Sequence, residues 1–207
     1  MSQPDFQIAI MAGGKSRRMG QNKALLRVGG IPIIERVIGV ARSFAPTVTP
    51  VIVSNTPQAY AHLGLPILAD SVSDAGAIGG IHAVLTHAKE YSLQWSLVLA
   101  CDMPFASLAL LRLMQEQCQR TEAKILVPQS VGYVQMLHAF YHTDVLPTVT
   151  RLIENEQFAV RALLNHVPIQ TITEAILAQH NIPPHALMNC NTPDDLAEAR
   201  RIASAFS

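Results

Sequence analysis

Nineteen residues near the start, Ile8 to Leu26, read I-A-I-M-A-G-G-K-S-R-R-M-G-Q-N-K-A-L-L, and they limit what this chain can become. The opening run Ile8-Ala9-Ile10-Met11-Ala12 is apolar at every position, short, and closed by two glycines. An apolar run of that length without alternation predicts a strand buried on both faces of a sheet. Gly13 and Gly14 have no Cβ, so the backbone there can turn sharply and lie close to a ligand. Lys15, Arg17, Arg18 and Lys23 follow as a local cluster of cations. A tight turn after a strand, with cations and free backbone N–H groups, suits a polyphosphate. A loop of merely solvated charges is the competing explanation. The paired glycines, a third at Gly20 and the cations together favour phosphate binding.

Neither common nucleotide fingerprint is present. A Walker loop requires G-x-x-x-x-G-K-[ST], and counted from Gly14 its second glycine would fall on Met19. The dinucleotide triplet G-x-G-x-x-G is also absent. What stands is A-G-G-x-S-x-R-M-G-x-x-K.

The cations matter because they are local. The chain has 207 residues, 49% of them hydrophobic, enough for one domain, 1–207, with a sizeable core. Its 15 basic and 15 acidic residues cancel, which argues against a general attraction for nucleic acid or an anionic membrane. Cys101, Cys118 and Cys190 make no C-x-x-C pair and suggest neither a disulfide frame nor a zinc site, which fits a reducing cytoplasm. The leader Met1-Ser2-Gln3-Pro4-Asp5 has no basic n-region, and no apolar run reaches the length of a membrane span.

Further along, apolar spacing predicts helices over 31–44, 81–89, 107–119, 143–155 and 158–166, with Ser107 as an N-cap, and a short helix over 56–63. Strands are expected over 47–53, 66–70, 96–102, 124–127, 136–141, 169–172 and 186–189, and residues 74–80, D-A-G-A-I-G-G, as a second glycine loop. Thr192-Pro193 should open the last helix as N-cap and N1. Strands alternating with helices predict a three-layer α/β/α sandwich around a Rossmann-like, mostly parallel sheet. Ligands of such sheets sit beyond the carboxyl ends of the strands, so Gly13, Ser54, Asp70 and Asp102, each at a strand end, should converge.

Asp102 ends the apolar run Ser96 to Cys101. A carboxylate at a buried strand tip is costly unless it is paired or on a metal. Beside a phosphate loop, magnesium is the favoured partner, since it takes one or two carboxylates plus phosphate oxygens and water; an aspartate bonding its own turn is the alternative. Asp70 also ends a strand. Its carboxylate only accepts, so it can pair with the adjacent N1–H and N2–H of guanine, or cap a turn. His138 and His142 are four apart with no third ligand in view, and an ordinary structural role is expected for them.

These segments resemble those of the molybdenum cofactor guanylyltransferases. The likeness rests on the first loop, on Asp70-Ser71, on Cys101-Asp102-Met103-Pro104-Phe105, and on Asn189-Cys190-Asn191-Thr192-Pro193-Asp194-Asp195-Leu196, all in the family's order. Gly76-Ala77-Ile78-Gly79-Gly80 is similar to the family's G-P-L-x-G loop, with Ala77 in place of proline, and Ser54, with Asn55 next to it, stands where the family has an asparagine. The Gln135-Met136-Leu137 stretch resembles the acceptor-side strand.

The resemblance implies a nucleotide-diphospho-sugar-transferase-like fold and an enzyme that moves GMP from GTP onto the phosphate of molybdopterin, releasing pyrophosphate. It implies Mg²⁺ on Asp102, with Asn191 as a second oxygen ligand or a contact to the acceptor phosphate. It places Met11, Ala12, Gly13, Gly14, Ser54, Asn55, Asp70, Gly76, Gly80 and Asn191 around the nucleotide, with Arg17, Lys23 and Asp102 at the reacting phosphates. Molybdenum-cofactor insertion proteins and molybdoenzyme chaperones would be protein partners. A sister enzyme using CTP or a sugar phosphate, or a non-catalytic nucleotide-binding module, remain the alternatives.

Overall fold

The computed structural model describes residues 5–13, 22–70, 72 and 74–205. β1 (Phe6–Met11) is buried at every position, as its unbroken apolar run requires. A hairpin follows, β2 (Arg27–Val28) and β3 (Ile31–Pro32), turned by Gly29 and Gly30 at φ 58° and 79°. Both angles favour glycine in a tight two-residue turn. α1 (Ile33–Phe44) buries Ile34, Val37, Ile38 and Ala41, a stripe at helical spacing.

The order continues with β4 (Val51–Val53), β5 (Ile67–Leu68), α2 (Ala77–Glu90), β6 (Trp95–Ala100) and α3 (Leu108–Cys118). Ser107 caps α3, its hydroxyl accepting from Leu110 N. Then come β7 (Ile125–Ser130), β8 (Tyr133–Val134), β9 (His138–His142), α4 (Leu146–Glu154), β10 (Ile169–Ile172), α5 (Glu174–Gln179) and α6 (Pro193–Ser204). Thr192 and Asp195 close a capping box at the start of α6.

The sheet order is β10-β7-β9-β6-β1-β4-β5, with β8 paired to β7. Pairings from β6 through β1 and β4 to β5 are parallel, as is β10 with β7. β9 runs antiparallel to both β6 and β7. Residues alternate between two cores. Ile8, Ile10, Leu97, Leu99 and Phe140 face α1 and α3, while Ala9, Met11, Val53, Val98 and Tyr141 face α2 and α4. A third cluster of Val28, Ile33, Cys190, Leu196, Ala199 and Ala203 fixes α6 against the hairpin.

Several expectations need correction. Residues 74–80 are not one loop: α2 begins at Ala77, so Gly79 and Gly80 lie in its first turn and Gly76 is its N-cap residue. Residues 186–189 form no strand; Pro184–Leu187 is a 3-10 turn, which the preset φ of the two prolines favours. The 158–166 helix is a 3-10 stretch, Val160–Asn165, and 56–63 is two 3-10 turns. The strand expected from Thr47 starts only at Val51, because Pro50 has no N–H to give a ladder.

Candidate functional site

The parallel register sets one level for the strand ends. Met11 is opposite Val53 on one side and Ala100 on the other, and Val53 is opposite Leu68. The residues that follow these four positions therefore emerge along one edge. Backbone bonds stitch that edge together: Ala12 N to Val53 O (2.9 Å), Ser54 N to Leu68 O (2.9 Å) and Cys101 N to Met11 O (3.2 Å). Gly13, Ser54, Asp70 and Asp102 meet here, as their strand-end positions require.

At one end of the edge, Lys23 Nζ lies 2.5 Å from Asp102 Oδ2 and donates to Asn191 Oδ1 at 2.9 Å. The three residues are 79 and 168 positions apart in pairs, so only the fold joins them. Asp102 is 8% exposed, and its other oxygen, Oδ1, is buried with no hydrogen-bond partner among the described residues. A buried carboxylate oxygen without a partner is costly, and a hard cation is the ligand that would satisfy it. The carboxylate and amide oxygens of Asp102 and Asn191 fit a magnesium ion in their chemistry. Among the described residues no group of three or more His, Cys, Asp or Glu side chains could hold a metal, so such an ion would rely on phosphate oxygens and water as well.

Asn191 is held from behind. Its N–H and that of Thr192 both donate to Asp195 Oδ2, at 2.9 and 2.8 Å. Burial pushes the Asp195 carboxyl up, but the hydrogen bonds from Asn191 and Thr192 outweigh it and leave it below the usual range. Cys190 N bonds Asp102 O at 2.8 Å, and Asn189 Nδ2 donates to Gln135 Oε1 at 3.3 Å. The C-terminal segment is thus tied both to the tip of β6 and to the stretch before β9. Cys101 and Cys190 flank this knot; burial raises their thiols to about 12 and about 11, so both stay protonated.

At the other end, Asn55 and Asp70 form a reciprocal pair: Asn55 Nδ2 donates to Asp70 Oδ2 and Asp70 N to Asn55 Oδ1, both at 2.9 Å. Burial holds the Asp70 carboxyl above its usual range, and the Asn55 bond works against it. Ser54 is 1% exposed and its hydroxyl accepts from Thr56 N, closing a turn, so the exposed amide of this pair of positions is Asn55. Gly80 sits close by. A Cβ there would fall 2.4 Å from Met11 Cε, 3.2 Å from Asp70 Oδ1 and 3.3 Å from Val53 Cγ1, so a larger residue would make the Met11 side chain move and press on Asp70 and Val53. Gly13 is different: among the described residues a Cβ would meet nothing nearer than Val53 O at 3.9 Å. Gly14 and Arg17, with Lys15 and Arg18, lie outside the described residues.

Two site neighbours escaped the sequence reading. The Tyr60 hydroxyl, in a side chain 1% exposed, donates to Ala12 O at 3.0 Å and accepts from Asn22 Nδ2 at 3.0 Å. Asn22 was visible only as a variable position of the loop motif. His138 is fully buried, and His142 lies edge-on to Trp95 with Nδ1 3.2 Å from Asp144.

Comparison with known proteins gives this geometry a family. Residues 8–172 match the model of the MobA-like NTP transferase domain. A protein of Pelotomaculum thermopropionicum named "Probable molybdenum cofactor guanylyltransferase" is 34% identical over 94% of this chain and 91% of its own. One of the same name from a Nostoc species is 32% identical over 91% and 87%. Molybdopterin-guanine dinucleotide biosynthesis protein A of Archaeoglobus fulgidus superposes with a TM-score of 0.81 at 25% identity, over 96% of this chain and 99% of that one. A CMP:2-keto-3-deoxy-manno-octonic acid synthetase shares the fold at 14% identity and TM-score 0.71.

Proposed function

Because this chain belongs to the MobA-like NTP transferase family, we propose that it transfers GMP from GTP to the terminal phosphate of molybdopterin. An oxygen of that phosphate attacks the α-phosphorus, the bond from the α-phosphorus to the bridging oxygen breaks, and pyrophosphate leaves. The acceptor phosphate is already ionised near neutral pH, so no general base is needed. The task left to the protein is positioning and charge neutralisation.

The observation that carries this reading is the Lys23–Asp102–Asn191 group at the strand ends. Lys23 and Arg17 neutralise the leaving pyrophosphate. Backbone N–H groups around Gly13 and Gly14 cradle the phosphates beside Met11 and Ala12. Asp102 and Asn191 would hold Mg²⁺, which would supply positive charge where negative charge builds during the transfer. Asp70, aimed by Asn55, accepts from the guanine edge, and Gly76 and Gly80 let the start of α2 close on the nucleoside. Ser54 supports this corner through its turn.

The same reading makes residues 1–207 one nucleotidyltransferase domain working in the cytoplasm, with molybdenum-cofactor insertion proteins and molybdoenzyme chaperones taking its product. No helix among the described residues is long and apolar enough to cross a membrane. Pyrophosphate release, measured for four NTPs with and without molybdopterin, tests it. Release with GTP that depends on molybdopterin is expected. Equal release with CTP, or nucleotide retention without release, would overturn it.

A further inference from the structure

We propose that Tyr60 is a positioning residue for Lys23. Its hydroxyl is the point at which the two ends of the cation-rich segment, Ala12 and Asn22, are joined. Tyr60 lies 48 residues from Ala12 and 38 from Asn22 in sequence, between two 3-10 turns. Its side chain is buried, and burial holds the phenol above its ordinary pKa, so the hydroxyl keeps its proton. One hydroxyl has one proton to give. It goes to Ala12 O at 3.0 Å, with Asn22 Oδ1 a longer second acceptor at 3.2 Å, while the phenol oxygen accepts from Asn22 Nδ2. Asn22 Oδ1 is then the acceptor for Ala24 N, which makes Asn22 the N-cap of the 3-10 turn Lys23–Leu25. Hydrogen bonds thus run without a break from the end of β1, through the phenol and the amide, to the backbone of the turn that carries Lys23. Lys23 leaves that turn to reach Asp102 and Asn191.

The aromatic ring alone could fill this place in the core. A phenol at this point adds a bond whose use is orientation, because a side chain as long as lysine aims its Nζ only as well as its backbone is held. The claim rests on the role given to Lys23 above.

The test is a double-mutant cycle on the full chain, reading kcat and KM for GTP in the pyrophosphate assay, with melting as the fold control. Tyr60→Phe removes the hydroxyl and keeps the ring. It is expected to lower kcat about tenfold, the rate equivalent of one displaced charge contact, with less change in KM. Asn22→Ser keeps an N-cap but cannot span to the phenol, and should show the same loss; it also serves if Tyr60→Phe folds poorly. In a Lys23→Ala background, Tyr60→Phe should have almost no further effect. Wild-type kcat in Tyr60→Phe, or the same tenfold loss with Lys23 already absent, overturns the inference and leaves the role of Lys23 standing. A Lys23→Ala enzyme with the wild-type rate overturns both.

Discussion

Lys23 Nζ and Asp102 Oδ2 are 2.5 Å apart at the end of β6, with side chains only 24% and 11% exposed. The lysine therefore already neutralises the carboxylate whose free oxygen, Oδ1, the proposed magnesium would take. Removing either partner leaves the other charge poorly solvated, Asp102 more than Lys23. Lys23→Ala should cost about 1–3 kcal/mol of stability, and adding Asp102→Asn should restore part of it. Without nucleotide, Lys23→Met should also bind Mn²⁺ more tightly than the wild type. Calorimetric melting and a Mn²⁺ titration read both effects, and equal melting of single and double variants would refute the coupling.

Asp102→Asn keeps the shape but removes the charge. Turnover should fall by roughly 10² to 10³ through loss of charge compensation at the α-phosphate. The dependence on Mg²⁺ should move to higher concentration. Wild-type rate and wild-type Mg²⁺ dependence together would place the metal elsewhere.

Base selection should depend on two residues. Asp70→Asn is expected to weaken GTP binding more than ATP or CTP binding, because an amide presents one acceptor where the carboxylate presents two. Asn55→Ala should act in the same direction, since Asn55 fixes both the side chain and the backbone of Asp70. Equal losses for all three nucleotides, measured by calorimetric titration, would make the pair a structural turn.

His138 should set part of the acid limit of stability. Desolvation lowers its pKa from 6.5 to about 4, and neither ring nitrogen has a hydrogen-bond partner among the described residues. Between those values the unfolded chain takes up a proton that the folded ring refuses. The stability is therefore whole above pH 6.5, falls as pH drops, and is lost below about 4. The full effect is about 3 kcal/mol, and His138→Leu should flatten it. Denaturant melts from pH 7 to 4.5 would show parallel slopes for the two proteins if His138 plays no part.

Much of the site was legible because chemistry and strand ends coincide. Gly13, Ser54, Asp70 and Asp102 each follow an apolar run, and parallel pairing brings such positions level without any knowledge of side-chain contacts. Asn191 was readable only through the likeness of the 189–196 segment to the family's, since the cap after it is a signal of a helix start alone. Tyr60 was not, since a hydrogen bond spanning 48 residues leaves no periodicity and no local spacing. The start of α2 was misplaced because Gly79 and Gly80 look like a loop in sequence. The tight approach of Ala75 and Val72 O to Gly79, and of Met11 and Asp70 to Gly80, exists only after folding. The β2–β3 hairpin was signalled by Val28-Gly29-Gly30-Ile31 and passed over in favour of a helix from Ile31. α5 is six residues long, too short for its period to show.

The two cysteines beside Asp102 give this protein a built-in clock. Cys101 and Cys190 are 5% and 0% exposed, whereas Cys118, at the last residue of α3, is only partly covered; burial raises all three thiols and each holds its proton. An alkylating reagent attacks thiolate and needs access, so in the native state all three thiols react slowly and Cys118, the least covered, is the one it reaches first. The other two become available only when the tip of β6 separates from the segment before α6. Their labelling rate counts how often this edge of the sheet comes apart, and anything that seals it slows the count.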